Sequence, residues 1–193
     1  PYIPPKLIFI RGEAHESELK LLHKLSLTEI IRIATTNDAA FKQRVEDALE
    51  DSPSMGGFGF ISELRKLLGV GKVKDAIASI NSIRDGEEKV VLWAWHKEVA
   101  GELSEYYKGS LLITGAVPVK KRQAIVDRFQ SDPEARVLIC TIPAAGVGFT
   151  FTTAALNIFV ECSWVPAEND QAISRTYRIG QKNLVRNYFL VVE

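Results

Sequence analysis

Residues 136–150 read RVLICTIPAAGVGFT, and this stretch decides the fold. The uncharged apolar run after Arg136 predicts a strand over residues 136–142 that is buried on both faces. The loop that follows contains Gly146 and Gly148 among small residues, which lets the main chain approach a ligand and suits phosphate. A Gly-x-Gly sequence is also a common tight turn, so the loop alone does not decide between the two interpretations.

Strands and helices alternate on both sides of this stretch. Apolar runs predict strands at residues 90–95, 110–114, 155–161 and 185–192, and amphipathic spacing predicts helices at 97–107, 119–130 and 168–179. Buried strands interleaved with amphipathic helices predict an α/β fold, in which a parallel sheet is covered by helices on both faces. Because ligands bind at the carboxyl ends of such strands, we expect a site in the loops after residues 95, 114, 142 and 161.

Residues 1–88 differ in character and form the first of two predicted regions, with residues 89–193 as the second. The first region is predicted to begin with a strand at Lys6–Arg11 and to continue as helices. A capping box formed by Ser26 and Glu29 begins one helix, apolar spacing indicates others at 41–49, 61–68 and 73–83, and residues 51–57 read as a loop. Tyr106 is expected to face the core from the 97–107 helix.

Composition excludes several classes of protein. Lysine plus arginine and aspartate plus glutamate number 24 each, so net charge does not indicate a nucleic-acid partner. No apolar run is long enough to span a membrane, and neither the two cysteines nor the three scattered histidines have metal-ligand spacing. Gly69-Val70-Gly71-Lys72 lacks the spacing of a P-loop and is predicted to be a turn between helices. Nothing in the sequence indicates a homo-oligomer.

The predicted 168–179 helix carries the strongest candidate site. Gln171, Arg175 and Arg178 are spaced four and three residues apart, which would bring them onto one helical face. Arginine is well suited to bidentate phosphate contact, although such a face is also compatible with a solvated surface.

Five segments in order resemble the second RecA-like lobe of superfamily 2 helicases, in the Swi/Snf-type DNA translocase branch. They are Lys89–Val99 (motif IV), Ile113–Gly115 with Lys121–Gln123 and Asp127–Gln130, Thr141–Phe151 (motif V), Ser163–Pro166 (the Trp-Asn-Pro element) and Gln171–Gln181 (motif VI). The wording of motif V is closest to the annealing-helicase-like subgroup. The helices of residues 1–88 resemble the helical protrusion that precedes motif IV.

The resemblance implies a function and a set of site residues. It implies a RecA-like lobe of an ATPase that moves along double-stranded DNA, with ATP and Mg²⁺ held mainly by an N-terminal lobe that these residues do not include. Arg178 and Arg175 would stabilise the transferring phosphoryl group, Gln171 would support them, and Gly146 and Gly148 would shape the nucleotide loop. Thr114, Gly115, Lys121 and Thr141 would contact DNA phosphates. The chain alone is expected to fold and not to hydrolyse ATP, and to be intracellular: cytoplasmic in a prokaryote or virus, nuclear in a eukaryote.

Three departures from the family pattern leave alternatives open. Ser174 replaces an aspartate and Tyr177 a histidine of motif VI, and Trp95 replaces a polar residue of motif IV. They favour, as one alternative, a RecA-like module that binds nucleic acid or serves as a scaffold without catalysis. A second alternative is an unrelated α/β enzyme that uses the glycine loop for a sugar nucleotide.

Overall fold

The computed structural model describes residues 6–11, 62, 65–84, 86–145 and 148–191. These residues contain one six-stranded sheet with the order β1-β6-β5-β2-β4-β3, and every neighbouring pair is parallel. The strands are β1 Lys6–Arg11, β2 Val90–Ala94, β3 Leu111–Ile113, β4 Val137–Thr141, β5 Leu156–Phe159 and β6 Arg186–Val191. The predicted fold class is confirmed, and each predicted strand is present with ends that lie within two residues of the prediction.

Helices cover both faces of the sheet. The helices Val73–Ile83 and Lys97–Tyr106 pack on one face, and Val119–Ser131, Ile142–Ala145 and Pro166–Ile173 pack on the other. A further helical segment covers residues 65–71. The helices predicted around Ser26–Glu29 and at 41–49, and the loop at 51–57, lie outside the described residues. None of the described helices is long and apolar enough to cross a membrane.

Successive side chains along the apolar strands pack against opposite faces of the sheet. In β2, Val91 and Trp93 pack under the 119–131 and 166–173 helices, whereas Val90 and Leu92 pack under the 73–83 and 97–106 helices. This alternation follows from the pleat of a strand, and burial on both sides explains why the sequence shows no polar alternation.

The first predicted region contributes directly to this sheet. β1 pairs with β6 along its whole length, from Lys6 opposite Arg186 to Arg11 opposite Val191. The 73–83 helix buries Val73, Ala76 and Ile80 against the other strands. These parts of residues 1–88 are therefore continuous with the RecA-like lobe, and the boundary at residue 88 stays a prediction.

The helix predicted at 168–179 is shorter than helical spacing indicates. It covers Pro166–Ile173, and the chain then turns through residues 174–180. The reason is a long-range bond: the Arg175 carbonyl accepts from the Phe151 N–H at 2.7 Å, so it does not continue the helix. The prediction that Arg175 and Arg178 share a helical face was therefore wrong, because both follow the helix.

Tyr106 also departs from its prediction, because 53% of it is exposed. Its hydroxyl accepts from Asn81 Nδ2 at 3.1 Å and its ring lies edge-on to Tyr107. The side chain therefore bridges two helices at the surface instead of entering the core.

We predict that Leu92→Ala lowers the free energy of unfolding by about 2–5 kcal/mol, because Leu92 is fully buried and its loss leaves a cavity. Leu68→Ala removes the same atoms from a side chain that is 39% exposed and should change it by no more than about 0.5–1 kcal/mol. Urea denaturation of both variants, followed by circular dichroism, measures the difference. Equal losses would contradict the assignment of Leu92 to the core.

Candidate functional site

The parallel sheet brings the chemically interesting loops to one edge. Four strands have their carboxyl ends there: β2, β3, β4 and β5. The segments that follow these strands are therefore neighbours, and they begin at Trp95, Thr114, Ile142 and Val160. This is the edge at which ligands of open parallel sheets bind.

The turn at residues 174–181, here called the arginine turn, points two guanidinium groups at the loop after β4. Arg175 is 7% exposed, and its Nη1 donates to the Phe149 carbonyl at 3.4 Å. Arg178 is exposed, and its Nη1 donates to Thr150 Oγ1 at 3.1 Å. The structure thus brings the two predicted arginines together beside the glycine loop.

No carboxylate among the described residues forms an ion pair with either arginine. Burial lowers the pKa of Arg175, and the positive charge of Arg178 lowers it further. Two neighbouring cations without a counter-ion attract an anion, and a guanidinium matches the oxygens of a phosphate group. The arrangement therefore fits a phosphate-bearing ligand such as a nucleotide.

Hydrogen bonds to the segment after β4 fix the arginine turn. Besides the bond from Phe151 to Arg175, Gln181 Nε2 donates to the Ala154 carbonyl at 2.8 Å and to the Thr176 carbonyl at 3.1 Å. Gly180 has a φ of 103°, a left-handed conformation that side chains rarely adopt. The turn is held as a closed unit next to residues 149–154.

Gln171 and Gln181 have different roles from those expected. Gln171 is exposed, and it is its main-chain carbonyl that accepts from Arg175 Nε at 3.0 Å. Gln181, which was not among the predicted site residues, makes the side-chain bonds. The motif that ends Ile179-Gly180-Gln181 carried this signal, because a glutamine directly after a turn glycine can bond back to the turn.

The glycine loop is described in part. Gly146 lies outside the described residues. Gly148 is exposed and has a φ of 88°, so the backbone takes a course there that favours glycine. The main chain at Gly148 stays open to solvent beside the arginine pair.

The four predicted DNA-binding residues lie at the same edge, with different exposure. Gly115 and Lys121 are exposed, whereas Thr114 and Thr141 are only 5% and 4% exposed. Thr114 Oγ1 accepts from the Ala116 N–H at 3.3 Å, which shapes the turn after β3. The accessible part of this group is therefore Gly115 with Lys121.

Arg122 connects these two loops and was missed as a site residue. Its Nε donates to the Val117 carbonyl at 2.9 Å, and its Nη1 donates to the Ala144 carbonyl at 3.0 Å. It ties the turn after β3 to the loop after β4. Sequence spacing gives no sign of such a contact, because both acceptors are main-chain oxygens.

A second cluster joins the ends of β2 and β5 around the buried carboxylate of Glu161. Glu161 Oε2 accepts from the N–H groups of Trp95 and His96, each at 2.9 Å, and Oε1 lies 2.7 Å from His96 Nδ1. Burial raises the pKa of Glu161, but the hydrogen bonds from His96 and Trp95 outweigh it, so the pKa lies below its ordinary value of 4.5. Because an ionised carboxylate only accepts, His96 Nδ1 must carry a proton.

The helical segment at residues 65–71 packs onto this cluster. The Arg65 guanidinium stacks on Trp95 and Trp164, 4.8 and 4.6 Å from the ring centroids, and donates to the Cys162 carbonyl. Gly69 approaches so closely that an added Cβ would lie 2.3 Å from Glu161 Oε1. The prediction that residues 69–72 form a turn was therefore wrong for residues 69–71, which are helical, and the turn is confined to Lys72. Glycine at 69 allows the helix to approach Glu161 this closely.

A metal centre is not evident in this part of the chain. The described residues contain no group of three or more histidine, cysteine, aspartate or glutamate side chains that could hold a metal ion.

The chain matches the family of the helicase conserved C-terminal domain over residues 71–180. It is 34% identical over 140 residues to mouse DNA annealing helicase and endonuclease ZRANB3, covering 69% of this chain and 13% of that protein. It is 37% identical over 109 residues to the Caenorhabditis elegans SWI/SNF-related matrix-associated actin-dependent regulator of chromatin subfamily A-like protein 1 homolog, covering 54% and 16%. The chain therefore spans a small part of the curated relatives it matches.

Two solved structures resemble the fold. The C-terminal part of the Fun30 ATPase domain aligns with a TM-score of 0.57 and 26% identity, covering 64% of this chain and 41% of that one. The Sulfolobus solfataricus SWI2/SNF2 ATPase core in complex with dsDNA aligns with a TM-score of 0.60 and 19% identity, covering 97% and 41%. At 19% identity the second likeness concerns the fold alone.

We predict that Glu161→Gln lowers the free energy of unfolding at pH 7 by about 1–3 kcal/mol, because a charged hydrogen-bond acceptor is lost from a buried site. A lowered carboxylate pKa stabilises the fold above the unfolded value, near 4.5, and this contribution disappears as pH falls through the folded value. The difference in free energy of unfolding between the wild type and the variant, here called the gap, should therefore become smaller below pH 4.5.

Urea denaturation between pH 3 and 8 measures this gap. Glu105→Gln, at an exposed position, is the control and should change stability by about 0.5 kcal/mol or less. A gap for Glu161→Gln that does not vary with pH would contradict the assignment.

Proposed function

Because the chain belongs to the family of the helicase conserved C-terminal domain, as the C-terminal lobe of a Swi/Snf-type protein, we propose that it is one motor lobe of an ATP-dependent translocase on double-stranded DNA. The observation that carries this proposal is the arginine pair, which forms no ion pair among the described residues and lies beside residues 149–150 of the segment after β4. The likeness to ZRANB3 supports an annealing-helicase-like parent.

Arg175 and Arg178 have the main chemical role in this proposal. Arg178, exposed on its turn, would reach across a cleft to the phosphates of ATP, and Arg175 would support it from the covered side. A guanidinium in such a position stabilises the charge that develops on a transferring phosphoryl group. Gly148, and Gly146 with it, would let the main chain approach the same nucleotide, and Gln171 would contribute through its carbonyl bond to Arg175.

ATP and Mg²⁺ would be held mainly by another lobe of the parent protein. The two guanidinium groups, which form no ion pair within the described part of the chain, fit the phosphate oxygens of ATP, whereas a P-loop of the form Gly-x4-Gly-Lys-Ser/Thr does not occur in these 193 residues. Bound Mg²⁺ would neutralise phosphate charge. In this proposal the chain contributes half of an active site. Residues 1–88 supply a strand and helices that precede the lobe, and residues 89–193 form the lobe.

Double-stranded DNA is the proposed second partner. Gly115 and Lys121 are exposed at the ends of β3 and of the following turn, where a main-chain N–H and an ammonium group suit backbone phosphates. Thr114 and Thr141, which are almost fully buried, would support this edge of the sheet. They would contact phosphate only if DNA binding exposed their hydroxyl groups. Arg122, which ties the DNA loop to the glycine loop, would connect the two ligands.

A RecA-like module without catalysis is the second candidate. Its specific support is the motif IV segment, where Trp95 is stacked on Arg65 and His96 is bonded to Glu161, so both side chains are engaged within the lobe. Assay of the full-length protein for DNA-dependent ATP hydrolysis separates the two candidates. The sugar-nucleotide enzyme has no support from the family to which the chain belongs.

In the full-length parent, we predict that Arg178→Ala lowers kcat for DNA-stimulated ATP hydrolysis by about 10³–10⁵-fold, because charge on the transferring group loses its partner. Phosphate release measured at saturating DNA gives kcat and the KM for ATP. Arg84→Ala, at an arginine outside the segments that resemble family motifs, where Nη2 donates to the Gly86 carbonyl at 3.0 Å, is the control and should retain kcat within about threefold. Retained turnover in Arg178→Ala would remove Arg178 from its proposed role.

The 193 residues alone are predicted to fold and to release phosphate from ATP at no more than the background rate, with or without DNA. The reason is that the groups that would hold ATP and Mg²⁺ lie elsewhere in the proposed parent. Circular dichroism checks the fold, and a phosphate-release assay beside the full-length protein checks the activity. Strong DNA-stimulated turnover by the isolated chain would defeat the half-site proposal.

A further inference from the structure

Four buried polar side chains form a hydrogen-bonded network in the middle of the sheet. Asn157 on β5 accepts from Trp93 Nε1 at 3.0 Å, and its Nδ2 donates to Thr176 Oγ1 at 2.6 Å and to Asn187 Oδ1 at 2.8 Å. All four residues are fully buried. Polar groups in such a place destabilise a core unless they are bonded, so the network calls for a structural reason.

The direction of each bond is fixed by chemistry. The Trp93 indole N–H can only donate, so Asn157 must turn its carbonyl oxygen toward it and its amide toward Thr176. Thr176 Oγ1 donates to the Ile173 carbonyl at 3.0 Å, which leaves its lone pair for Asn157. A single arrangement therefore satisfies the three groups, and it holds Thr176 in one rotamer.

Thr176 lies between Arg175 and Arg178 in the arginine turn. The bond from Asn157 anchors this turn to the centre of the sheet, while Gln181 and Phe151 hold it from the outside. The anchoring opposes the mutual repulsion of the arginines. It also gives the turn an orienting contact in a chain whose motif VI has Ser174 in place of the family's aspartate.

We propose that Asn157, through its hydrogen bond to Thr176, is a positioning residue that keeps Arg175 and Arg178 aimed at the nucleotide. This inference rests on the proposed function of the arginine pair. It adds a residue that lies on β5 inside the core and belongs to none of the segments that resemble family motifs, although it bonds to two of them. The remaining Nδ2 of Asn187 has no partner among the described residues, so this arm is the less satisfied end of the network.

The test compares two core substitutions in the full-length protein, Thr176→Val and Asn187→Leu, each of which keeps the approximate size of the side chain that it replaces. Thr176→Val keeps the shape of the side chain and removes the hydroxyl that Asn157 binds. It should lower kcat for DNA-stimulated ATP hydrolysis by about 10–100-fold and change the KM for ATP by less than about threefold, because the arginines act on the transition state. Thr176→Ser keeps the hydroxyl and should restore kcat to within about threefold of wild type.

Asn187→Leu is the matched control, because it removes the second bond that the Asn157 amide donates and leaves the bond to Thr176 in place. It should lower the melting temperature about as much as Thr176→Val and keep kcat within about threefold. Equal falls of kcat in both variants, or an unchanged kcat in Thr176→Val, would overturn the positioning role. If Thr176→Val does not fold, Thr176→Cys replaces it, since a thiol is a weak acceptor, and a fall of about 3–10-fold is expected.

Arg178→Ala separates this inference from the proposed function. If Arg178→Ala retains turnover, the proposed function fails, and the positioning role fails with it. If Arg178→Ala is inactive while Thr176→Val behaves like Asn187→Leu, only the positioning role fails. Adding Thr176→Val to Arg178→Ala should lower kcat by much less than it does in the wild type, because both changes affect the same group.

Discussion

Arg175 and Arg178 repel each other, and much of the surrounding structure serves to hold them together. Neither has a carboxylate partner among the described residues, and both donate to the segment at 149–150. The opposing bonds come from three directions: the Phe151 main chain, the Gln181 side chain and the buried Asn157. These bonds hold the two side chains in place, and under the proposed function such preorganisation would reduce the reorganisation needed to bind ATP.

The parallel sheet determines what this site can meet. The carboxyl ends of the strands lie at one edge, so the turn after β3 and the segment after β4 are neighbours there, and the arginine turn bonds to residues 149–154 of that segment. Arg122 ties two of these loops to each other, and Glu161 ties the ends of β2 and β5. These hydrogen bonds hold neighbouring loops in fixed positions relative to one another.

Periodicity predicted the elements well and the site geometry less well. Strands such as β2, β4 and β5, whose residues are all buried, leave apolar runs that identify them in the sequence. The last helix was predicted to extend too far, because helical spacing gives no sign of the hydrogen bond from the Phe151 N–H to the Arg175 carbonyl. The Asn157 network joins residues that are far apart in sequence, such as Trp93 and Asn187, and lone polar residues in apolar strands carry no signal of their partners. The two arginines were identified because they lie in the last of five segments that resemble family motifs in the family's order.

The pairing of β1 with β6 has a mechanical consequence. The two strands are parallel neighbours, and they stand at the two ends of the described chain. Tension between the polypeptide before β1 and the polypeptide after β6 would slide one strand along the other. That geometry loads the hydrogen bonds of the six-residue ladder in shear, all at once instead of one after another. A ladder loaded in this way resists separation of its two strands.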